Sequence, residues 1–188
     1  MFPALIIAVF VGFVVLLPLA FVIAQYNALV ALKNHINDAW ANIDTELKRR
    51  YELIPNLVAT VKGYAAHEKE VLEKVTSLRN QCASNAGPIN SQVADESMLV
   101  AALQRLFVVV EDYPQLKADQ NYLQLQQELV NTEDRIQAAR RFFNGNVRDY
   151  RNKLQMFPTN IVANMFGFED QEYFQVQPSV REIPDVDF

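Results

Sequence analysis

The chain has 188 residues, 51% of them hydrophobic, with 22 acidic and 17 basic side chains and a net charge of −5 at neutral pH. Its single cysteine, Cys82, excludes an internal disulfide framework and fits a reducing compartment. Six acids lie from Gly167 onward against Arg181 alone, which leaves 16 acids and 16 bases in residues 33–166; a body so balanced excludes the concentrated basic footprint of a nucleic-acid binder.

Behind a short N-terminus (residues 1–3), Ala4 to Ala24 is an almost wholly apolar run of 21 residues, and the first charged side chain is Lys33. A bilayer's hydrocarbon core takes roughly 20 helical residues to cross, so residues 4–24 read as a transmembrane helix. A secretory signal would carry a basic n-region and a shorter apolar core, and neither is present. Pro18 is acceptable inside such a span, where the freed backbone groups find other partners. The basic residues near its ends are Lys33, then Lys48, Arg49 and Arg50, all on the C-terminal side. By the positive-inside rule, the remainder of the chain faces the cytoplasm.

Residues 25–166 form the body, and their periodicity is helical. Ile36, Trp40, Ile43, Leu47, Tyr51 and Ile54 recur at intervals of three and four, and Leu57, Val58, Val61, Tyr64, Leu72, Val75 and Cys82 continue the stripe. Pro55 interrupts it. A proline kinks or ends a helix in its interior and is favoured in the first turn of a new one, so a reversal at Leu53–Pro55 and a kinked continuation both stay open. Ala83–Glu96, with Gly87 and Pro88 among Ser and Asn, reads as a loop. Asp95 or Ser97 then caps a short helix carrying Met98, Leu99, Leu103, Leu106, Phe107 and Val110, which Pro114 terminates. A long helix runs from about Lys117 to Met156 with a stripe of Leu125, Leu129, Thr132, Ile136, Ala139, Phe143, Val147, Tyr150 and Leu154. Phe157-Pro158 closes it, and Asn160–Phe166 adds one turn. The acidic tail, residues 167–188, has no periodicity, and its Phe168, Tyr173, Phe174 and Phe188 predict that it packs on something. The fold class expected is all-α, an N-terminal transmembrane helix followed by an antiparallel, up-and-down helical bundle and an extended tail.

No constellation of residues indicates catalysis, a cofactor or a metal. His67-Glu68 opens like a zinc motif, but Val71 stands where the second histidine belongs. Leu32 and Tyr64, three residues before His35 and His67, exclude the di-iron pattern of helical bundles. The five glycines make no phosphate loop. Cys82 lies on the apolar stripe and reads as a core residue rather than a nucleophile. A hydrolase would need carboxylates such as Glu68 and Glu128 to converge, and no spacing indicates that they do. Lys48-Arg49-Arg50 lies about 35 Å beyond Ala24 along a straight helix, too far for headgroups, so it reads as a solvated face with pairs Glu46–Arg50 and Lys48–Glu52. The cations Arg135, Arg140, Arg141, Arg148, Arg151 and Lys153 of the long helix are expected to meet acids on neighbouring helices.

The segment Tyr26–Arg79 resembles the LemA family of bacterial membrane proteins. The resemblance rests on Trp40 with Ile43-Asp44, on Leu47-Lys48-Arg49-Arg50-Tyr51, on Leu53-Ile54-Pro55-Asn56-Leu57-Val58, and on Val61-Lys62-Gly63-Tyr64 with His67-Glu68. Phe157-Pro158-Thr159-Asn160, Phe166-Gly167-Phe168, Tyr173-Phe174 and Val186-Asp187-Phe188 agree with it as well. One departure is Gly145 in Asn144-Gly145-Asn146, where relatives usually have no glycine. The resemblance implies an anchored four-helix bundle in a bacterial inner membrane, tips Pro55 towards starting a second helix, and implies no reaction. The expected function is that of a membrane-anchored, non-enzymatic scaffold whose partners are the lipid bilayer and further copies of itself, a homo-oligomer. The alternative is an adaptor or regulator of a membrane protease or transporter. Neither reading involves nucleic acid.

Overall fold

The apolar run and the amphipathic stripe behind it form one uninterrupted helix. The computed structural model describes residues 2–175, with side chains from residue 12 onward. Helix α1 spans Phe2–Tyr64, followed by α2 (Lys69–Ser84), α3 (Ile89–Val110), the single turn α4 (Pro114–Lys117), α5 (Gln120–Gln155) and α6 (Thr159–Met165). No strand occurs among the described residues. The chain is all-α, as the helical period predicts, and its body is a helical bundle.

Two compact units make up the chain: residues up to 40 with 142–172, and residues 41–141 with the segment from 173. In the first unit the apolar part of α1 lies outside any core. Phe13, Val14, Val15, Leu16, Leu17, Leu19 and Ile23 are all more than half exposed. The most apolar 18-residue window of this helix has a mean hydropathy of 2.1 and is 6% buried, whereas a soluble core helix of such composition hides most of its surface. Further along, α1 buries Leu29, Ile36 and Ala39, while α5 buries Phe143, Val147 and Tyr150, and α6 buries Val162 and Ala163. Trp40 and Phe143 meet edge to face at 5.7 Å. Gly145 lies within α5 without breaking it, and the neighbouring Asn146 amide donates to the His35 carbonyl at 3.3 Å.

Helix α6 ends in a complete Schellman cap. Gly167 has φ 69, a conformation that glycine adopts without a Cβ clash. The Phe168 N–H reaches back to the Ala163 carbonyl at 3.0 Å and the Gly167 N–H to that of Asn164 at 3.4 Å. The start of the tail then folds back. The Tyr150 hydroxyl donates to the Glu169 carbonyl at 3.0 Å, and Arg151 pairs with Asp170 at 2.7 Å.

In the second unit the stripe of α1 is Ile43, Leu47, Arg50, Ile54, Leu57 and Val61, all buried. Opposite it stand Val71, Leu72, Val75, Leu78 and Cys82 of α2, Val93, Glu96, Leu99, Leu103, Leu106 and Val110 of α3, and Leu129, Thr132 and Ile136 of α5. The links from α1 to α2 and from α2 to α3 are residues 65–68 and 85–88, short enough to fold neighbouring helices back on one another. Phe174 of the tail is buried and lies under Arg140 at 4.4 Å from the ring centre, so this aromatic of the tail does pack. Phe188 and the acids from Glu182 onward lie outside the described residues.

Three boundaries differ from the sequence reading. Of the two alternatives open at Pro55, the continued helix is the one adopted, against what the family resemblance implied: α1 runs nine residues beyond it to Tyr64. The reversal comes at residues 65–68, where the Glu68 N–H closes a turn on the Ala65 carbonyl at 3.1 Å. The loop expected over Ala83–Glu96 shrinks to 85–88. There the Asn85 side-chain oxygen accepts the Gly87 N–H at 2.8 Å, and α3 begins directly after Pro88. Asp95 therefore caps nothing; its carboxylate accepts from Gln81 at 2.7 Å and from Asn85 at 2.6 Å. Pro114 begins the turn α4 rather than ending α3.

Asp119 is the N-cap of α5. Its carboxylate accepts the Tyr122 N–H and the Tyr64 hydroxyl, each at 2.9 Å, and these bonds, the Tyr122 amide foremost, hold its pKa below the usual carboxylate value. A carboxyl whose pKa is depressed on folding contributes stability that is present above its unfolded pKa and lost as pH falls through the folded one. Asp119→Ala is therefore expected to lower the melting temperature at neutral pH, and the gap to the native sequence is expected to close on acidification. Circular-dichroism melts from neutral to acid pH check this; a gap independent of pH contradicts it.

Candidate functional site

The candidate site grows from Pro55. Inside a helix a proline supplies no N–H, so the carbonyl four residues earlier, that of Tyr51, loses its helical donor. A buried carbonyl left unpaired costs about 1–3 kcal/mol. The Arg79 Nε of α2 fills the gap, donating to the Tyr51 carbonyl at 2.9 Å, while its Nη1 donates to Asn80 at 3.1 Å. The break in the α1 ladder is thus the point where α2 is fastened.

The same turn of α1 carries the most deeply buried charge of the unit. Arg50 is 1% exposed, and Glu96 of α3, 2% exposed, is its closest ion-pair partner. A second carboxylate, Glu133 of α5, accepts from Arg50 Nη1 at 2.9 Å. The Tyr51 hydroxyl donates to the other oxygen of Glu96. Burial is the chief reason that the Tyr51 phenol titrates well above its ordinary value, so it remains a donor across the physiological range. Seven residues along α5 from Glu133, Arg140 is pushed down to about 10, chiefly by burial, with Glu133 opposing the shift and Arg50 adding to it. It stays protonated at neutral pH.

Arg50 and Glu96 are thus a buried pair, with the partly exposed Glu133 and Arg140 at their edge. Taking a guanidinium or a carboxylate out of water costs several kcal/mol per ion, on the order of what a well-formed pair with extra hydrogen bonds can offset. Glu96 illustrates the offset, with one oxygen on Arg50 and the other on Tyr51. A carboxylate this buried, with each oxygen already facing a partner of its own bundle, is closed off from solvent. What the cluster can do chemically is fix α1, α3 and α5 at one register.

The sequence reading placed Arg50 on a solvated face, and the structure overturns that. Lys48 and Arg49 are exposed as expected, but the stripe passes through 43, 47, 50 and 54 and turns Arg50 inward. The pairs Glu46–Arg50 and Lys48–Glu52 do not form: Lys48 pairs with Asp44 at 2.7 Å and Glu46 with Arg135 of α5 at 3.1 Å. Arg135 does meet an acid on a neighbouring helix, as expected, whereas the acid that Arg151 meets, Asp170, lies in the tail and not on a helix. Arg148 lies 3.5 Å from its neighbour Asp149, and Lys153 donates to Gln25. The spacing of Arg50, and of Glu96 between Val93 and Leu99, was legible as two charges on apolar stripes. Their pairing was not, because 46 residues separate them.

Cys82 is a core residue, buried at 6% exposure, and burial foremost pushes its thiol up to about 11. His35 and His67 are both exposed, His67 in the turn between α1 and α2. Glu68 accepts from the Tyr113 hydroxyl at 3.2 Å, and Glu128 is exposed on α5. Among the described residues no group of three or more His, Cys, Asp or Glu is placed to hold a metal ion.

An exposed apolar span joined to a charge-locked helical bundle defines a membrane-associated α-helical protein. The chain belongs to the LemA family, whose model matches residues 39–188. It is 30% identical over 159 residues to protein LemA of Metamycoplasma hominis, a match covering 85% of this chain and 73% of that one. It is 28% identical over 180 residues to the magnetosome protein MamQ of Magnetospirillum gryphiswaldense, covering 82% of this chain and 66% of that protein. A similar protein, MamQ 2 of Paramagnetospirillum magneticum, is 27% identical over 186 residues, with 86% and 68% covered. The chain thus spans about two thirds of the length of these magnetosome relatives.

Two substitution experiments test the cluster. Arg50→Met strands Glu96 in the core and is expected to destabilise the bundle by about 3–5 kcal/mol, whereas Arg50→Met with Glu96→Leu recovers most of that loss. Denaturant unfolding of the full chain in detergent measures both, and a double variant no better than the single one contradicts the account. Arg79→Leu is expected to cost about 1–3 kcal/mol in the native sequence and clearly less in a Pro55→Ala background, where residue 55 regains an N–H for the Tyr51 carbonyl. Equal costs in the two backgrounds would show that Arg79 does not serve the proline gap.

Proposed function

We propose that this chain is a membrane-anchored, non-enzymatic interaction module that self-associates into a scaffold at the bacterial inner membrane, with its bundle on the cytoplasmic side. The observation that carries the reading is the use made of its interior charge. Arg50, Glu96, Glu133 and Tyr51 engage one another, so the buried titratable groups serve packing. Large apolar side chains nonetheless remain on the surface of the same unit: Met98 and Val108 on α3, Leu123 and Val130 on α5. Surfaces of this kind suit protein partners. The assignment of the bundle to the cytoplasmic side is supported by Lys33, the nearest basic residue after the apolar run.

Chemical crosslinking of the chain in native membranes, followed by identification of the crosslinked species, tests the proposal. A ladder of self-crosslinks is the expected result. Monomer alone rejects self-association, and a stoichiometric second protein in place of further copies moves the reading to an adaptor.

A further inference from the structure

We propose that α6 and its flanks form a second membrane-contact element, a wedge seated in the headgroup–acyl boundary of the leaflet where α1 emerges. The inference rests on α1 crossing the bilayer and adds to it. Three observations carry it, all within the unit made by residues up to 40 and 142–172.

The first is composition. From Leu154 to Phe168 the chain bears no charge and carries Leu154, Met156, Phe157, Ile161, Val162, Met165, Phe166 and Phe168. Lys153 and Glu169 bracket the run. The second is the direction of the side chains. Helix α6 turns Thr159, Val162 and Ala163 inward and leaves Ile161 and Met165 in the open at 52% and 66% exposure. Its flanks add Met156 at 61%, Phe157 at 79% and Phe166 at 49%. Five large apolar side chains within eleven residues thus face outward. Each square ångström of apolar surface kept in water is unfavourable by about 25 cal/mol, so such a concentration seeks an apolar medium.

The third observation says which medium. Both ends of α6 are fastened to the residues that terminate the apolar run of α1. The Gln25 side-chain carbonyl, directly after Ala24, accepts from the Thr159 hydroxyl at 3.3 Å and from Lys153 Nζ at 3.1 Å. Tyr26 meets Phe166 edge-on at 4.9 Å and Phe168 at 5.6 Å. The exposed apolar surface of α1 runs as far as Ile23, two residues before Gln25, so α6 is fastened to α1 at the level where the hydrocarbon ends. At that level lipid is the medium, and tyrosine and phenylalanine are residues suited to it. The Schellman cap at Gly167 satisfies the Ala163 and Asn164 carbonyls internally, which lowers the cost of seating the C-terminal end of α6 against lipid.

The test uses the full chain in a Cys82→Ala background, reconstituted at one copy per lipid nanodisc of phosphatidylcholine and phosphatidylglycerol. An environment-sensitive fluorophore is placed at residue 157, 161 or 165, with Ser77 on α2 as the water-exposed reference. The expected result is a blue-shifted emission at the three α6 sites, quenched more by lipids spin-labelled near the headgroup than by lipids labelled at the chain end; the Ser77 probe shows neither effect. Introducing Ile161→Glu should return the probe at 157 towards water while leaving the melting temperature unchanged. Probes as wet as that at Ser77, in chains that still float with vesicles, overturn the wedge and leave the anchor standing. Probes that become dry only when two chains share a disc overturn it in favour of a second copy as the occupant. Chains that fail to float overturn the anchor, and the wedge with it.

Discussion

A guanidinium buried on an apolar helix stripe has to be neutralised from outside its own helix, and the bundle is organised around that need at Arg50. Its neighbours on the stripe are Leu47 and Ile54, which can offer it nothing. The compensating carboxylates come from α3 and α5, and a phenol from the same turn of α1 completes the shell of Glu96. Any shift of α3 or α5 along α1 would strand one of these charges, and an unpaired buried charge is far more unfavourable than a slipped pair of leucines. Apolar packing supplies most of the cohesion. The charges decide which of several oily arrangements is adopted.

Pro55 belongs to the same device. A proline in mid-helix ordinarily weakens the helix by about 3 kcal/mol, partly through the carbonyl it leaves without a donor. Here that carbonyl belongs to Tyr51, next to Arg50 in the chain, and Arg79 occupies it from α2. One turn of α1 therefore touches all three of its helical neighbours through polar groups, and the Arg-Arg-Tyr-x-Leu-Ile-Pro-Asn run acquires a physical meaning as a junction. That Arg50, Glu96 and Glu133 are engaged with one another also bears on function. A bundle built this way offers surfaces and a membrane attachment, which is consistent with a role exerted through contact.

Much of the architecture was legible because it depends on local periodicity. The apolar run, the stripes of α1 and α5, the turn at Phe157-Pro158 and the short α6 all follow from side-chain spacing. The packing of tail aromatics was legible too, realised by Phe168 on Tyr26 and Phe174 under Arg140. One feature was left open and two were misread, for definite reasons. At Pro55 the residues allowed a new helix or a continued one and the family resemblance favoured the first; the helix continues, with a donor from α2 on the carbonyl that the proline leaves free. The segment from Ile89 to Glu96 looked like loop because its residues are weak helix formers, yet Val93 and Glu96 give it a buried face. Arg50 looked solvated because a basic triplet on a helix usually is, and its counter-charges lie far away in sequence.

Taken alone, the sequence determined the class of structure and the presence of an apolar span, since both are consequences of the order of polar and apolar groups along the chain. It also determined that residues 33–166 are charge-balanced. Which charges meet was decided by the tertiary structure, because an ion pair between α1 and α3 or α5 depends on helix register and on distances that no local pattern encodes. The same holds for α6. Its apolar residues could have served a core as readily as a surface, and only the folding of Thr159, Val162 and Ala163 inward sent the others out.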